Sequence, residues 1–276
     1  MSTISILRQL SFLFLLFILT ISNVTAQFEP LRLLNYSCTN DNNYTSNSIY
    51  STNLQSLLSN LTSNKDIDYG FYNLSVGENP KKVNAVGMCR GDIKPDDCRT
   101  CLYNATIVLP QRCPTQKEAI AWLETCMLRY SNRSIFGLME TDPSFAWAYE
   151  YDATDVAQFN QVLSNLMERL RISAASGDSR RKFAADNVPG PGYQTIYAIV
   201  QCTPDLSQQK CSDCLLDAVA RVPECCRGKG GGRVVGPSCN FRYEMYRFYD
   251  PSVDPPSTSG KGSSISYLSF GLLNVR

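Results

Sequence analysis

Five cysteines, Cys89, Cys98, Cys101, Cys113 and Cys126, recur as Cys202, Cys211, Cys214, Cys226 and Cys239, each displaced by the same 113 positions. Five coincidences at one offset mark a tandem repeat, so whatever this chain folds into, it does so twice. The register extends beyond cysteine, because Arg129 and Tyr130 match Arg242 and Tyr243, and Leu102 matches Leu215. The residues in between differ almost throughout, CRGDIKPDDCRTC against CTPDLSQQKCSDC, so the repeat keeps spacing rather than composition. Three chemistries use cysteines so spaced: a metal site, a redox dithiol and a disulfide frame.

The amino terminus bears on that choice. MSTISILRQLSFLFLLFILTISNVTA has a basic start with Arg8, an apolar run from Phe12 to Ile21 and small residues ending at Ala26. It reads as a signal peptide over residues 1–26, cleaved before Gln27, because the apolar run is shorter than the roughly 20 residues a spanning helix needs. A secreted, extracellular destination follows, with no membrane insertion after cleavage. Twelve cysteines, an even number, then read as a disulfide framework in an oxidising compartment. A four-cysteine zinc site built from the two C-x2-C units leaves eight cysteines unexplained, and a redox dithiol needs the two thiols of one unit to pair with each other.

With 26 basic and 25 acidic residues the chain has no charge bias toward nucleic acid or an anionic membrane. It contains no histidine, which excludes Ser-His and Cys-His nucleophiles and removes the commonest general base. No acidic pair stands in a recognisable catalytic setting, so the expectation is a non-enzymatic protein without cofactor or metal. Sequons begin at Asn23, Asn35, Asn43, Asn60, Asn73, Asn104 and Asn132. Asn23 leaves with the signal peptide, and the other six would place glycans on the first half only.

Each copy opens with a helical pattern, NLQSLLSNL and QFNQVLSNLMERL. A strand such as YQTIYAIVQC follows, then a second helix near CRTCLYNATIVL and CSDCLLDAVARV, limited by Pro110 and Pro223. Strands close the copy: GRVVG, then CNFRYEMYRFY, where Cys239, Phe241, Tyr243 and Met245 alternate with Asn240, Arg242, Glu244 and Tyr246. Helices and strands in non-alternating order predict an α+β sandwich per copy. The glycine run GKGGGRV lacks the Lys-Ser/Thr ending of a phosphate loop and reads as a strand-edge loop. Residues 250–276, rich in Pro, Ser and Gly, read as a tail or linker, and its apolar patch ISYLSFGLL is too short to span a membrane.

The spacing C-x8-C-x2-C-x11-C-x12-C, with GGRV and SCNFRYE, resembles the ginkbilobin-homologous (stress-antifungal) domain of plants. The tandem pair is similar to the extracellular part of cysteine-rich receptor-like kinases and to their secreted cysteine-rich repeat relatives. The resemblance implies two domains, residues 27–137 and 138–249, each a five-stranded antiparallel sheet packed with two helices and braced by disulfides. It also implies the pairs Cys89 with Cys98, Cys101 with Cys126, Cys38 with Cys113, Cys202 with Cys211 and Cys214 with Cys239. Cysteine arithmetic leaves Cys225 and Cys226, expected as a vicinal bridge, the alternative being two free thiols.

A founding member of that family resembles a mannose lectin using an Asn, an Arg and a Glu of one domain. Guanidinium and carboxylate together supply the donors and acceptors that sugar hydroxyls need. Carried over by position, the Arg and Glu are Ile120 and Ser131 in the first copy, where Thr39 stands in place of the Asn, and Arg233 and Glu244 in the second. The second copy has no Asn between Asp142 and Asp155, so the carbohydrate site there is weakened. The plainer expectation is that Arg233 and Glu244 are solvated on an exposed strand face. The resemblance implies an extracellular recognition module in plant stress or defence responses, whose partner is a receptor ectodomain or a mannose-type glycan. Alternatives are a truncated receptor-like kinase ectodomain acting as decoy or co-receptor partner, and an antifungal mannose lectin working through the second domain.

Overall fold

A computed structural model describes residues 32–39, 43–63 and 69–255. The expected signal peptide and most of the expected tail lie outside the described residues. The first domain runs β1 (Leu33–Cys38), α1 (Ile49–Ser63), β2 (Phe71–Val76), β3 (Val83–Cys89), α2 (Pro95–Arg112), β4 (Ala119–Leu123) and β5 (Cys126–Ser131). The second repeats that order as β6 (Phe145–Ala148), α3 (Val156–Ala175), β7 (Lys182–Pro189), β8 (Thr195–Cys202), α4 (Gln208–Ala220), a short α5 (Val222–Cys225), β9 (Gly232–Val235) and β10 (Cys239–Glu244). The strands form two antiparallel five-stranded sheets, ordered β1-β4-β5-β3-β2 and β6-β9-β10-β8-β7. The fold is the α+β pair that the sequence predicts.

Each sheet buries one face under its two long helices. In α3, Phe159, Leu163, Leu166, Met167, Leu170 and Ala174 follow helical spacing and are all buried. Asp155 caps this helix in the left-handed region, φ 45°, its carboxylate accepting from the Gln158 backbone N–H. Opposite lie the inward residues of the sheet, Tyr243 and Phe241 in the second domain and Tyr130 and Leu128 in the first.

The conserved spacing now has a geometric cause. Cys89 and Cys126 are directly opposite each other on β3 and β5, and Cys202 and Cys239 are opposite on β8 and β10. Cysteines three apart on a helix share one face. Cys98 and Cys101 of α2 therefore reach that strand pair side by side, as Cys211 and Cys214 of α4 reach theirs. Cys38–Cys113 ties the end of α2 to β1, and Cys225–Cys226 is a vicinal bridge. All twelve cysteines are bonded, which leaves no thiolate for a zinc site or a dithiol.

Two boundaries differ from expectation. Pro110 does not stop α2, which continues to Arg112. In the last turn a proline forfeits only one backbone bond, and Cys113 N–H still closes the turn on the Leu109 carbonyl while its disulfide holds the end in place. Residues 250–255 are not a free linker. Asp250 N–H donates to Asp92 of the first domain, and Asp254 accepts from Arg247 and Tyr249. Tyr249 itself is buried against Ala185 and Ile199.

Candidate functional site: the junction of the two sheets

The second faces of the sheets are partly covered by each other. They pack on each other through Phe71, Val86, Met88, Ile120, Trp122 and Met127 of the first domain, with Val235, Phe145 and Trp147 of the second. This is why β3 is buried along its whole length, on one side by helices and on the other by the neighbouring sheet. Trp122 is the central anchor: its ring lies edge-on to Phe145 at 5.4 Å, and its Nε1 donates to the Gly236 carbonyl at 3.0 Å. Gln201 crosses the other way, Nε2 donating to the Cys89 carbonyl at 2.8 Å.

Arg233 and Glu244 lie at the edge of this junction, and the expectation of solvated side chains is overturned. Arg233 is 6% exposed and Glu244 0%. The Arg233 guanidinium donates to Glu124 of the first domain twice, to Oε1 and to the main-chain oxygen, both at 3.1 Å. Arg242, directly opposite Arg233 across β9 and β10, donates to the same Glu124 Oε1 at 2.6 Å and to Glu244 Oε1 at 2.9 Å. Two guanidiniums side by side repel; a carboxylate supplied by the other domain resolves the repulsion. Alternation predicted correctly that Glu244 points away from Tyr243, but on that side it is enclosed by Arg242, Tyr151 and the Gly231 backbone of its own domain.

An aromatic row completes the enclosure. Phe145, Trp147, Tyr149 and Tyr151 alternate along β6 and the segment after it, so their rings line one face. Trp147 underlies Arg233 at 5.9 Å, Tyr149 lies 5.4 Å from Arg242, and Tyr151 donates its hydroxyl to Glu244 Oε2. Phe248 covers the far side of Arg242 at 4.3 Å, a cation–π contact. Burial pushes the Glu244 carboxyl above its usual range, against the pull of Tyr151 and Arg242. Burial likewise pushes the Arg233 guanidinium down, against the pull of Glu124. The glycine run serves this packing, since a Cβ on Gly231 would strike the Glu244 carboxylate and the Tyr151 hydroxyl.

The cavity beside Arg233, lined also by Glu124, Trp122 and Gln201, holds about 30 Å³. Ligand sites for small molecules are about 300 Å³ or larger, so a sugar ring does not fit there. In the first domain, Ile120 and Ser131 occupy the equivalent positions and are themselves buried, Ile120 within the apolar contact. A second ionic cluster borders the junction, where Arg129 and Arg133 hold Glu118 and Glu140, Arg129 reaching Glu118 at 2.6 Å. Burial raises the Glu118 carboxyl, but the hydrogen bonds from Arg133 and Arg129 outweigh it and hold the group below its ordinary value. Among the sequon asparagines, Asn43, Asn60 and Asn73 are exposed and Asn35, Asn104 and Asn132 half-buried, all on the first domain.

Sequence reasoning missed Glu124, Trp122 and the aromatic row. For the aromatic row a signal existed in the period-two pattern FAWAYEY; for Glu124, in a hairpin turn with Pro237 at the matching position of the second copy, there was none. Among the described residues no helix is long and apolar enough to cross a membrane.

Comparison with known proteins agrees with this architecture. The family model described as salt stress response/antifungal matches twice, over residues 37–133 and 148–246. Cysteine-rich receptor-like protein kinase 29 of Arabidopsis thaliana is 42% identical over 238 residues, covering 84% of this chain and 34% of the kinase. Cysteine-rich repeat secretory protein 38 of the same plant is 38% identical, covering 84% of this chain and 91% of that protein. The chain thus spans about a third of the receptor-like kinases it matches. Among solved structures, the tandem DUF26 ectodomain of the Arabidopsis thaliana receptor-like protein PDLP8 superposes with a TM-score of 0.67 at 22% identity, covering 77% of this chain and 97% of that one, a likeness of fold. Two copies of the family's domain, joined face to face through Trp122 and the Glu124 clasp, make up most of the chain, which belongs to the salt stress response/antifungal family.

Proposed function

We propose that the protein is a secreted, non-enzymatic recognition module of plant stress or defence responses that acts through protein contacts made by the tandem pair as one rigid unit. The observation that carries this reading is the engagement of Arg233 and Glu244 by Glu124, Arg242 and Tyr151. Of the groups that would bind mannose, Arg233 joins an interdomain clasp with Glu124, and Glu244 braces that clasp from within the second domain through Arg242 and Tyr151. Glycans at the six sequons would shield the first domain and leave the second free for a partner. The similarity to the receptor-like kinases makes a receptor ectodomain the partner class of choice.

The test is biolayer interferometry of the mature glycosylated protein against immobilised ectodomains of cysteine-rich receptor-like kinases, beside a mannan surface. Saturable binding to an ectodomain with none to mannan is the expected result. Mannan binding that disappears in both Arg233→Ala and Glu244→Ala, with folding intact, would instead establish the lectin reading.

A further inference from the structure

The two domains differ at the end of the second helix. In the first, α2 runs unbroken to Arg112, its end held to β1 by Cys38–Cys113, and Leu109 is fully buried. In the second, β6 brings no cysteine, Cys226 bonds to its neighbour Cys225, and the helix breaks after Ala220 into the separate turn α5. Val222, the counterpart of Leu109, is consequently only half-buried. The break opens a groove of about 470 Å³ between α3 and the α4–α5 junction.

Its floor is apolar, formed by Leu163 and Met167 of α3 with Val219 and Val222 opposite. Asn160 supplies a polar side and Arg227 stands at the rim. The cations flanking Arg227 in sequence are engaged, Arg221 by Asp217 and Lys229 by Asp152. Arg227, in contrast, has no carboxylate partner among the described residues. An apolar cleft of several hundred Å³ with a few convergent polar groups is the usual form of a small-molecule site. A lone guanidinium at its mouth selects a carboxylate.

We infer that this groove binds a small lipophilic carboxylate, its hydrocarbon body on Leu163, Met167 and Val222 and its charged end on Arg227. The site is independent of the clasp and of any protein partner, so its test stands or falls separately. The probes are decanoate and the neutral decanamide, titrated calorimetrically into the mature full chain. The expected result is saturable binding of one decanoate per chain, about tenfold tighter than decanamide, as a charge-assisted hydrogen bond supplies. Arg227→Gln removes that tenfold preference, and Ser164→Trp, which fills the groove from an exposed position of α3, abolishes binding of both probes at an unchanged melting temperature. Absence of saturable binding, equal affinity for the two probes in the unsubstituted chain, or a preference that survives Arg227→Gln would each overturn the assignment.

Discussion

Glu124 and Arg233, 109 residues apart and in different domains, form an ion pair with Arg233 Nη1 3.1 Å from Glu124 Oε1. Arg233 is buried and Glu124 half-buried, and Glu124 also serves Arg242, so it holds two guanidiniums that would otherwise repel across β9 and β10. A surface pair contributes little, but removing one partner of a buried pair strands the other charge.

Glu124→Ala should therefore destabilise the protein by about 3–5 kcal/mol, the cost of leaving a buried charge uncompensated. Chemical denaturation measures this. Glu150→Ala, at an exposed position of the second domain, is the comparison and should change stability by less than about 0.5 kcal/mol.

Trp122→Ala should cost about 3–5 kcal/mol, through lost burial and the space left between the sheets. Trp122→Phe keeps most of the packing and removes the bond to Gly236, so its loss should be near 1 kcal/mol. Paired unfolding curves separate packing from hydrogen bonding.

The bridges should differ sharply in worth. Cys38–Cys113 spans 75 residues and Cys225–Cys226 only one. In the chain-entropy model the first stabilises by roughly 4 kcal/mol and the second by less than about 1 kcal/mol. Denaturation of the two double-serine variants tests the difference. Mass spectrometry of unreduced peptides should find Cys225 and Cys226 unalkylated and joined within one peptide.

Stability should also depend on pH through Glu118, whose folded carboxyl sits below its ordinary value of 4.5 because Arg133 and Arg129 hydrogen-bond it against the effect of burial. A depressed acid contributes stability that is present above its unfolded value and is lost as pH falls through the folded one. The melting-temperature gap between the unsubstituted protein and Glu118→Gln should be full at pH 7 and shrink below about pH 4.5. Glu244 has the opposite sign, because burial raises its carboxyl, so Glu244→Gln should not show the same narrowing.

How much of this could be read from the chain follows from which signals are local. The repeat, its helices and the cysteine spacing are local and were legible, whereas the pairing rested on the family resemblance; in both copies the i, i+3 cysteines of the helix meet two cross-strand neighbours. The direction of Glu244 was also legible, since strand alternation fixes it relative to Tyr243. What covers that face was not, because Tyr151 reaches Glu244 from a distant strand end and Glu124 reaches Arg233 and Arg242 from the other domain. Ile120, Trp122 and Met127 sit on β4 and β5 as an apolar outer face, which an isolated domain would expose, and FAWAYEY repeats the pattern. Those two stripes were the available hint that the sheets meet. Nothing in sequence pairs Glu124 with Arg233.

Arg233, a position to which the resemblance assigns sugar binding, instead joins the two domains through Glu124, and a double-mutant cycle measures that contact. Unfolding free energies of the unsubstituted protein, Glu124→Gln, Arg233→Gln and the double variant give the coupling between the two side chains. A favourable coupling of about 0.5–3 kcal/mol is expected. Additive losses, with a coupling near zero, would contradict it.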